Sequence, residues 1–386
     1  MGGGRAAGLR VAVVGGGIAG LAAALALARR GARVTVHEQA PALREAGAGL
    51  QVTPNGGAVL AALGLAGQAA TAGIAAAALE PMDGLTGARL ARFDLGGLPG
   101  AGYRFFHRPD LLAMLAQAAV AAGVVVRTGA RMSALPGGGL TGPEGEAIAA
   151  DLTLGADGIH SVIRPLLNGA AAPVFSGQVA WRAVVAGEGP AVARLWMLPG
   201  AHVVTYPLPG GRINIVAVRE EAGWAAEGWD HADDPANLCA AFAGAAAEVG
   251  AILGKVTEVR RWGLFRHPVA ARWHGAGVAL LGDAAHPTLP FLAQGANLAL
   301  EDAWVLAAAL DRWPMQEALG RYQAARRARV IRAIAAADAN AVTYHLRGAR
   351  RRAALAALGA IGRVAPGLFL RRYDWLYRHD VTRLVL

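Results

Sequence analysis

Glu38, Asp157 and Asp283 each follow an apolar run that reads as a β-strand, and each belongs to a glycine cluster. The clusters are GGGIAG at Gly15 to Gly20, GADGIHSVIR at Gly155 to Arg164, and GDAAHP at Gly282 to Pro287. In the first, Gly15 permits a tight turn, Gly17 lets the backbone approach a pyrophosphate, and Gly20 lets the next helix pack closely on the strand. Free amides at that helix start, with the helix dipole, favour phosphate. Glu38 follows about 20 residues on, where a carboxylate accepts ribose hydroxyls and disfavours a 2′-phosphate, so FAD or NAD is the expected ligand. Ligands of doubly wound sheets sit at the carboxyl ends of strands, so Asp157 and Asp283 converge on the same crevice. Read alone, Asp157 is equally a helix N-cap, with its helix opening near His160. His202 and Tyr206 lie four apart on an expected strand and share a face. They are core packing or, if they face a pocket, candidates for moving protons. His286 caps or braces its loop; Trp181 and Arg182 floor a pocket, bind a carboxylate, or pair structurally.

The elements that must position these groups are legible as a βαβ unit: Val11 to Val14, a helix from Ile18 to Arg30 stopped by Gly31, and Arg33 to Val36. Val278 to Leu281 reads as a buried strand, and a helix opens near Gly295. The 386 residues allow two domains and a large core, and the 55% apolar content suits tightly packed helices over a parallel sheet. Cys239 is the single cysteine, which removes disulfide frameworks, thiolate metal sites and a redox pair; no metal is expected, and Cys239 itself reads as a buried small hydrophobe. No run is a convincing membrane span and no export signal is visible, so the expected location is cytoplasmic. The net charge of +10 is a C-terminal property: Arg321 to Leu386 holds 14 arginines against Asp338, Asp374 and Asp380. Without interleaved aromatics or a groove-reading helix, nucleic acid is not expected. The run RYQAARRARVIRAIAAA reads as a solvated helix face, with weak contact to an anionic membrane surface as the other use.

Taken together the chain resembles the FAD-dependent aromatic hydroxylases of the para-hydroxybenzoate hydroxylase type, in their salicylate-hydroxylase-like branch. The resemblance spans nearly the whole length: besides the three clusters it includes GAGLQVTPNGGAVLAALGL (Gly47 to Leu65), HRPDLLAML (His107 to Leu115), AWRAVV (Ala180 to Val185), YPLPGG (Tyr206 to Gly211) and YDWLY (Tyr373 to Tyr377). It implies an α/β fold with a Rossmann-like FAD-binding domain of the glutathione-reductase type, a smaller mixed-sheet substrate domain and a helical C-terminal arm. The expected layout is a discontinuous FAD-binding domain over 1–75, 101–170 and 266–345, a substrate domain over 76–100 and 171–265, and an arm over 346–386.

It further implies that Gly15, Gly17, Gly20 and Glu38 hold the ADP half of FAD, that Arg108 lies along the cofactor, and that Asp283 bonds the ribityl chain. Asp157 and Arg164 serve FAD and transient NADH or NADPH. Amides of Gly295, Ala296 and Asn297 face the flavin pyrimidine edge, where reduction places negative charge. Pro287 and Pro290 wall the pocket in which a flavin hydroperoxide hands oxygen from dioxygen to an aromatic ring, with His202 and Tyr206 on the substrate side. The expected assembly is a monomer or homodimer. One departure is Ala293-Gln294-Gly295 where the family often has glycine-glutamine-glycine; alanine resists positive φ. The residues also leave open an FAD oxidoreductase that inserts no oxygen and a non-catalytic flavin-bound sensor. A flavin halogenase is disfavoured against a dehydrogenase or reductase, because Trp224 and Trp229 are too widely spaced for its tryptophan-x-tryptophan segment.

Overall fold

The computed structural model describes residues 4–43, 48–100, 102–135, 139–224 and 231–384; Pro136, the first residue of a glycine-rich stretch to Gly145 that reads in the sequence as a surface turn, and Trp229 lie outside them. The chain begins with β1 (Arg10–Val14), α1 (Ile18–Ala28) and β2 (Arg33–His37). Next come β3 (Gly49–Val52), α2 (Pro54–Ala62) and β4 (Ala78–Asp83). The strand β5 (Arg104–His107) runs straight into α3 (Arg108–Ala121), followed by β6 (Val125–Arg127) and β7 (Leu152–Gly155). Four strands then succeed one another: β8 (Val174–Ala186), β9 (Val192–Leu198), β10 (Ala201–Leu208) and β11 (Arg212–Glu220). After β12 (Val259–Arg266) and β13 (Val278–Leu280) the chain becomes helical, in α4 (Gly295–Arg312), α5 (Met315–Tyr344) and α6 (Gly348–Val364).

Two main sheets result. The first has the order His274–Gly275, β13, β7, β1, β2, β6, and every pair from β13 to β6 is parallel. Strands β1, β7 and β13 are buried on both faces, which explains their nearly continuous apolar runs. Helix α1 is apolar all round because it is enclosed, with Leu21, Leu25 and Leu27 fully buried. Gly20 sits where a Cβ would come within 2.0 Å of the Gly15 carbonyl oxygen, so the helix reaches its place against β1 only with glycine there. The second sheet is mixed and holds more strands than the first: His231–Asp233, β12, β8, β11, β10, β9, β4 and Phe93–Asp94. All its pairs are antiparallel except β9 with β4. A small third sheet of β3, β5 and Gly73–Ala75 meets the mixed sheet where the Gly49 amide of β3 donates to Asn214 Oδ1 of β11 at 2.6 Å, a buried bond.

Three expectations are corrected. The GADG segment does not open a helix near His160; residues 157–163 form a turn and the helix starts at Arg164, with Pro165 in its first turn where a missing amide costs nothing. Cys239 is exposed, because its short helix buries only Leu238. The arginine run on α5 is not simply solvated. Arg326 is 0% exposed and binds Glu301 and Asp302 of α4. Arg329 makes two 2.8 Å contacts to Glu301 and reaches the carbonyls of Trp375 and Leu376, pinning the C-terminal segment to α4.

Ala293 adopts the left-handed conformation, φ 52° and ψ 36°, in spite of its Cβ. It is held there by its carbonyl, which accepts Asn297 Nδ2 at 2.7 Å, and by the bonds that anchor Gln294. Ala293→Gly is expected to stabilise the fold by about 1 kcal/mol, since the left-handed penalty disappears. Thermal unfolding should show a rise in Tm of about one to two degrees.

Candidate active site

Three elements close around one cavity of about 350 Å³, within the range of small-molecule sites. The first turn of α1 supplies Gly17, Ile18 and Ala19, the start of α4 supplies Gly295 and Ala296, and the inner face of the mixed sheet lies opposite. Both helix starts lack a side-chain cap and an acid in the first turn, so their amides are left for a ligand. On the sheet, Arg182, Val216 and Val204 pair across β8, β11 and β10, and all three line the cavity. His202 and Tyr206 flank Val204 by two residues on either side and line it too, as their shared face requires. Trp181 points the other way: it packs in a second core, and its Nε1 donates to Asp233 at 2.7 Å. Of the pair weighed from sequence, only Arg182 reaches the site.

The other residues divide into three groups. Gly17, Arg108, Asp283, Pro287, Pro290, Gly295 and Ala296 line the cavity. Gly15, Gly20 and Glu38 shape the phosphate turn: Gly15 has φ +107°, where a Cβ would stand 2.3 Å from the Ala156 oxygen. Glu38 accepts the amides of Gly16 at 2.7 Å and Ala40 at 2.8 Å. Asp157, Arg164 and Asn297 spend their side chains internally. Asp157 accepts from the Ser161 hydroxyl at 2.6 Å and from the amide of Val162 at 2.8 Å. Arg164 donates to the carbonyls of Pro268, Ala284 and Ala285, so it braces the GDAAHP loop. Asn297 accepts the Thr53 amide at 2.9 Å and donates to the Gln51 and Ala293 carbonyls.

The family described as FAD binding domain matches residues 8–337. The chain belongs to the FAD-dependent aromatic hydroxylases. It is 40% identical over 342 residues to 3-amino-4-hydroxybenzoate 2-monooxygenase PtmB3 of Streptomyces platensis, covering 83% of this chain and 85% of that one. With 3-hydroxybenzoate 6-hydroxylase 1 of Aquipseudomonas alcaligenes it shares 32% identity over 395 residues, 96% of this chain and 98% of the relative. A salicylate hydroxylase substrate complex superposes with TM-score 0.80 at 25% identity, over 97% of each chain. The hydroxylase therefore takes FAD as cofactor and NAD(P)H as reductant, and inserts oxygen into an aromatic ring. Among the described residues no helix is long and apolar enough to cross a membrane.

The cavity of the hydroxylase is electropositive. Burial and the neighbouring Arg182 lower Arg108 to about 10, with Asp283 opposing. Burial lowers Arg182 as well, and its Nε has no hydrogen-bond partner among the described residues. The guanidinium rests 4.7 Å over the Trp262 ring. Burial raises Asp283, offset by His286 and Arg108. Burial also raises Tyr206, which stacks on Phe105 at 5.0 Å. His202 is pushed well below its ordinary value by burial and then by His345, so its imidazole is neutral and able to accept a proton. His286 is the brace, with Nε2 2.5 Å from Asp302 behind the loop. Sequence reasoning passed over Gln294, which lines the cavity while Asn55 donates to its Oε1 and its Nε2 donates to Thr53. A glutamine before an uncapped helix start was the available signal.

Proposed function

We propose that this hydroxylase acts on a phenolic ring that also carries a carboxylate, a hydroxybenzoate or a close heteroaromatic analogue. Arg182 takes the carboxylate and His202 the ring hydroxyl. The observation that carries this reading is the half-buried Arg182 guanidinium, which lines the cavity with its Nε enclosed and without a hydrogen-bond partner among the described residues. A partly desolvated cation without an anion is costly, and a ligand carboxylate relieves that cost. The substrates for which two relatives are named, 3-amino-4-hydroxybenzoate and 3-hydroxybenzoate, have this chemistry.

FAD fits the remaining surface. Its pyrophosphate would go to the α1 start at Gly15, Gly17 and Gly20, its ribose to Glu38, its ribityl chain to Asp283, and its ring edge to the amides of Gly295, Ala296 and Asn297. Arg108 lies alongside, and Asp157 and Arg164 support it through the turns they brace. When bound, FAD supplies the electron transfer from NAD(P)H and the activation of dioxygen. The protein orients the ring, keeps water out behind Pro287 and Pro290, and takes the phenolic proton. Tyr206, kept protonated, donates to the substrate oxygen. We place the enzyme in the cytoplasm as a monomer or homodimer. Its C-terminal arm, with Val364 and Leu368 exposed beside arginines, is suited to weak contact with an anionic surface.

Arg182→Met tests the assignment. It should raise the dissociation constant for 3-hydroxybenzoate about 10- to 100-fold, the value of charge-assisted hydrogen bonds, and leave that of phenol within about threefold. Equal losses for both ligands would contradict it.

A further inference from the structure

A proton taken from a substrate hydroxyl inside this cavity needs a way out, because His202 is buried. The structure supplies a row of groups leading from it. His202 Nδ1 lies 2.8 Å from His345 Nε2, which leaves His202 Nε2 for the cavity. His345 follows the last residue of α5, and its Nδ1 lies 3.4 Å from Glu220 Oε1 at the end of β11. Glu220 is 41% exposed, so the row ends in water. Strand pairing fixes its two ends: His202 of β10 sits opposite Val218 of β11, two residues before Glu220. Phe291 and Tyr344 enclose the His202 ring, so water does not bypass the imidazoles from that side.

We propose that His202, His345 and Glu220 form a proton relay that carries the substrate hydroxyl proton from the cavity to solvent. The proposal rests on the phenol-binding reading above. In the forward direction the substrate O–H bond breaks and His202 Nε2 gains the proton. The His202 Nδ1–H passes to His345 Nε2, and the His345 Nδ1–H passes to the Glu220 carboxylate and on to water. The cavity is left with a phenolate, and both rings end as the opposite neutral tautomer. Return of a proton to the oxygenated product along the same row restores the starting tautomers.

The surroundings favour neutral relay members. Burial holds both histidines below their ordinary value, and Arg347 adds to this at His345 while Glu220 opposes it. Arg347 pairs with the other Glu220 oxygen at 2.5 Å, leaving Oε1 for His345. Gln178 Nε2 lies 3.3 Å from His345 Nδ1 while its Oε1 has no partner among the described residues; with the amide turned over, Oε1 faces the Nδ1–H from which the relay starts. A neutral imidazole with one N–H and one lone pair accepts on one side and donates on the other, which suits a relay.

The test mixes FAD-loaded enzyme with 3-amino-4-hydroxybenzoate or 3-hydroxybenzoate and follows phenolate absorbance by stopped flow across the neutral pH range. His345→Ala should slow phenolate formation about tenfold or more, and added imidazole should restore part of the rate. Glu220→Gln, at a half-exposed position that does not threaten the fold, should slow it about threefold or more. Arg347→Ala, which breaks the ion pair and spares the relay, should stay within about twofold. Phenolate appearing at the unaltered rate in His345→Ala, or equal slowing in Glu220→Gln and Arg347→Ala, would overturn the relay and leave the hydroxylase reading intact. No phenolate with either ligand in the unaltered enzyme would overturn both.

Discussion

His202→Asn is expected to lower kcat at neutral pH by about 10²- to 10⁴-fold, the usual worth of a positioned general base. KM for a hydroxybenzoate should move little, because the carboxylate contact at Arg182 is untouched. The direction with pH follows from the environment. Burial and His345 depress the His202 pKa, so the unaltered enzyme keeps a neutral base throughout the neutral range and its rate is nearly flat there. The variant depends on substrate that ionises before it binds. Its rate should therefore climb about tenfold per pH unit toward the phenol's own pKa, roughly 10 for an unperturbed phenol. A pH profile of kcat for both proteins reads this. Parallel profiles would show that His202 packs against Phe291 and Tyr344 and moves no proton.

Arg326→Met should destabilise the fold by about 3 to 5 kcal/mol, the cost of breaking a buried ion pair and leaving carboxylates without it. Arg326 is fully buried between Glu301 and Asp302, and its Nη2 also donates to the Leu298 carbonyl at 3.3 Å. Arg329 still faces Glu301 and His286 still faces Asp302, so each carboxylate keeps one partner. The acid dependence should change sign. In the unaltered protein both carboxylates have lowered pKa values in spite of burial, so their contribution is present above the unfolded value and lost as pH falls. Without Arg326 burial dominates and raises them, so protonation on acidification favours the folded variant. The stability gap measured by denaturant titration should narrow as pH drops from neutral toward about 4. A gap independent of pH would mean that packing, not charge, sets the cost.

How far the sequence foretold all this depends on whether the signal was local. The β1–α1–β2 unit was legible because valine runs, three glycines and an acid all act within 30 residues. The turn at Asp283 and the helix start at Gly295 were legible for the same reason. His202 and Tyr206 were candidates from the strand period, whereas choosing Arg182 over its neighbour Trp181 required knowing which face of β8 meets the cavity. The helix at Arg164 carried its own marker in Pro165, and the pull of an Asp-Gly turn obscured it. Cys239 failed because the short helix that carries it buries only Leu238. Arg326 has the same neighbours in sequence as the exposed arginines of α5. Its acidic partners lie 24 and 25 residues earlier on another helix, beyond any periodic pattern. His345 was invisible as a partner of His202, 143 residues away.

The measurement that bears most directly on the central assignment is isotope incorporation. FAD-loaded enzyme is supplied with NADH or NADPH, ¹⁸O-labelled dioxygen and a panel of hydroxybenzoates, and the products are weighed by mass spectrometry. The hydroxylase assignment predicts one ¹⁸O atom in the ring-hydroxylated product of at least one panel member, with reductant consumption coupled to product. Reductant oxidised to give only hydrogen peroxide, with no label in any aromatic product, would contradict it and favour an FAD oxidoreductase that inserts no oxygen.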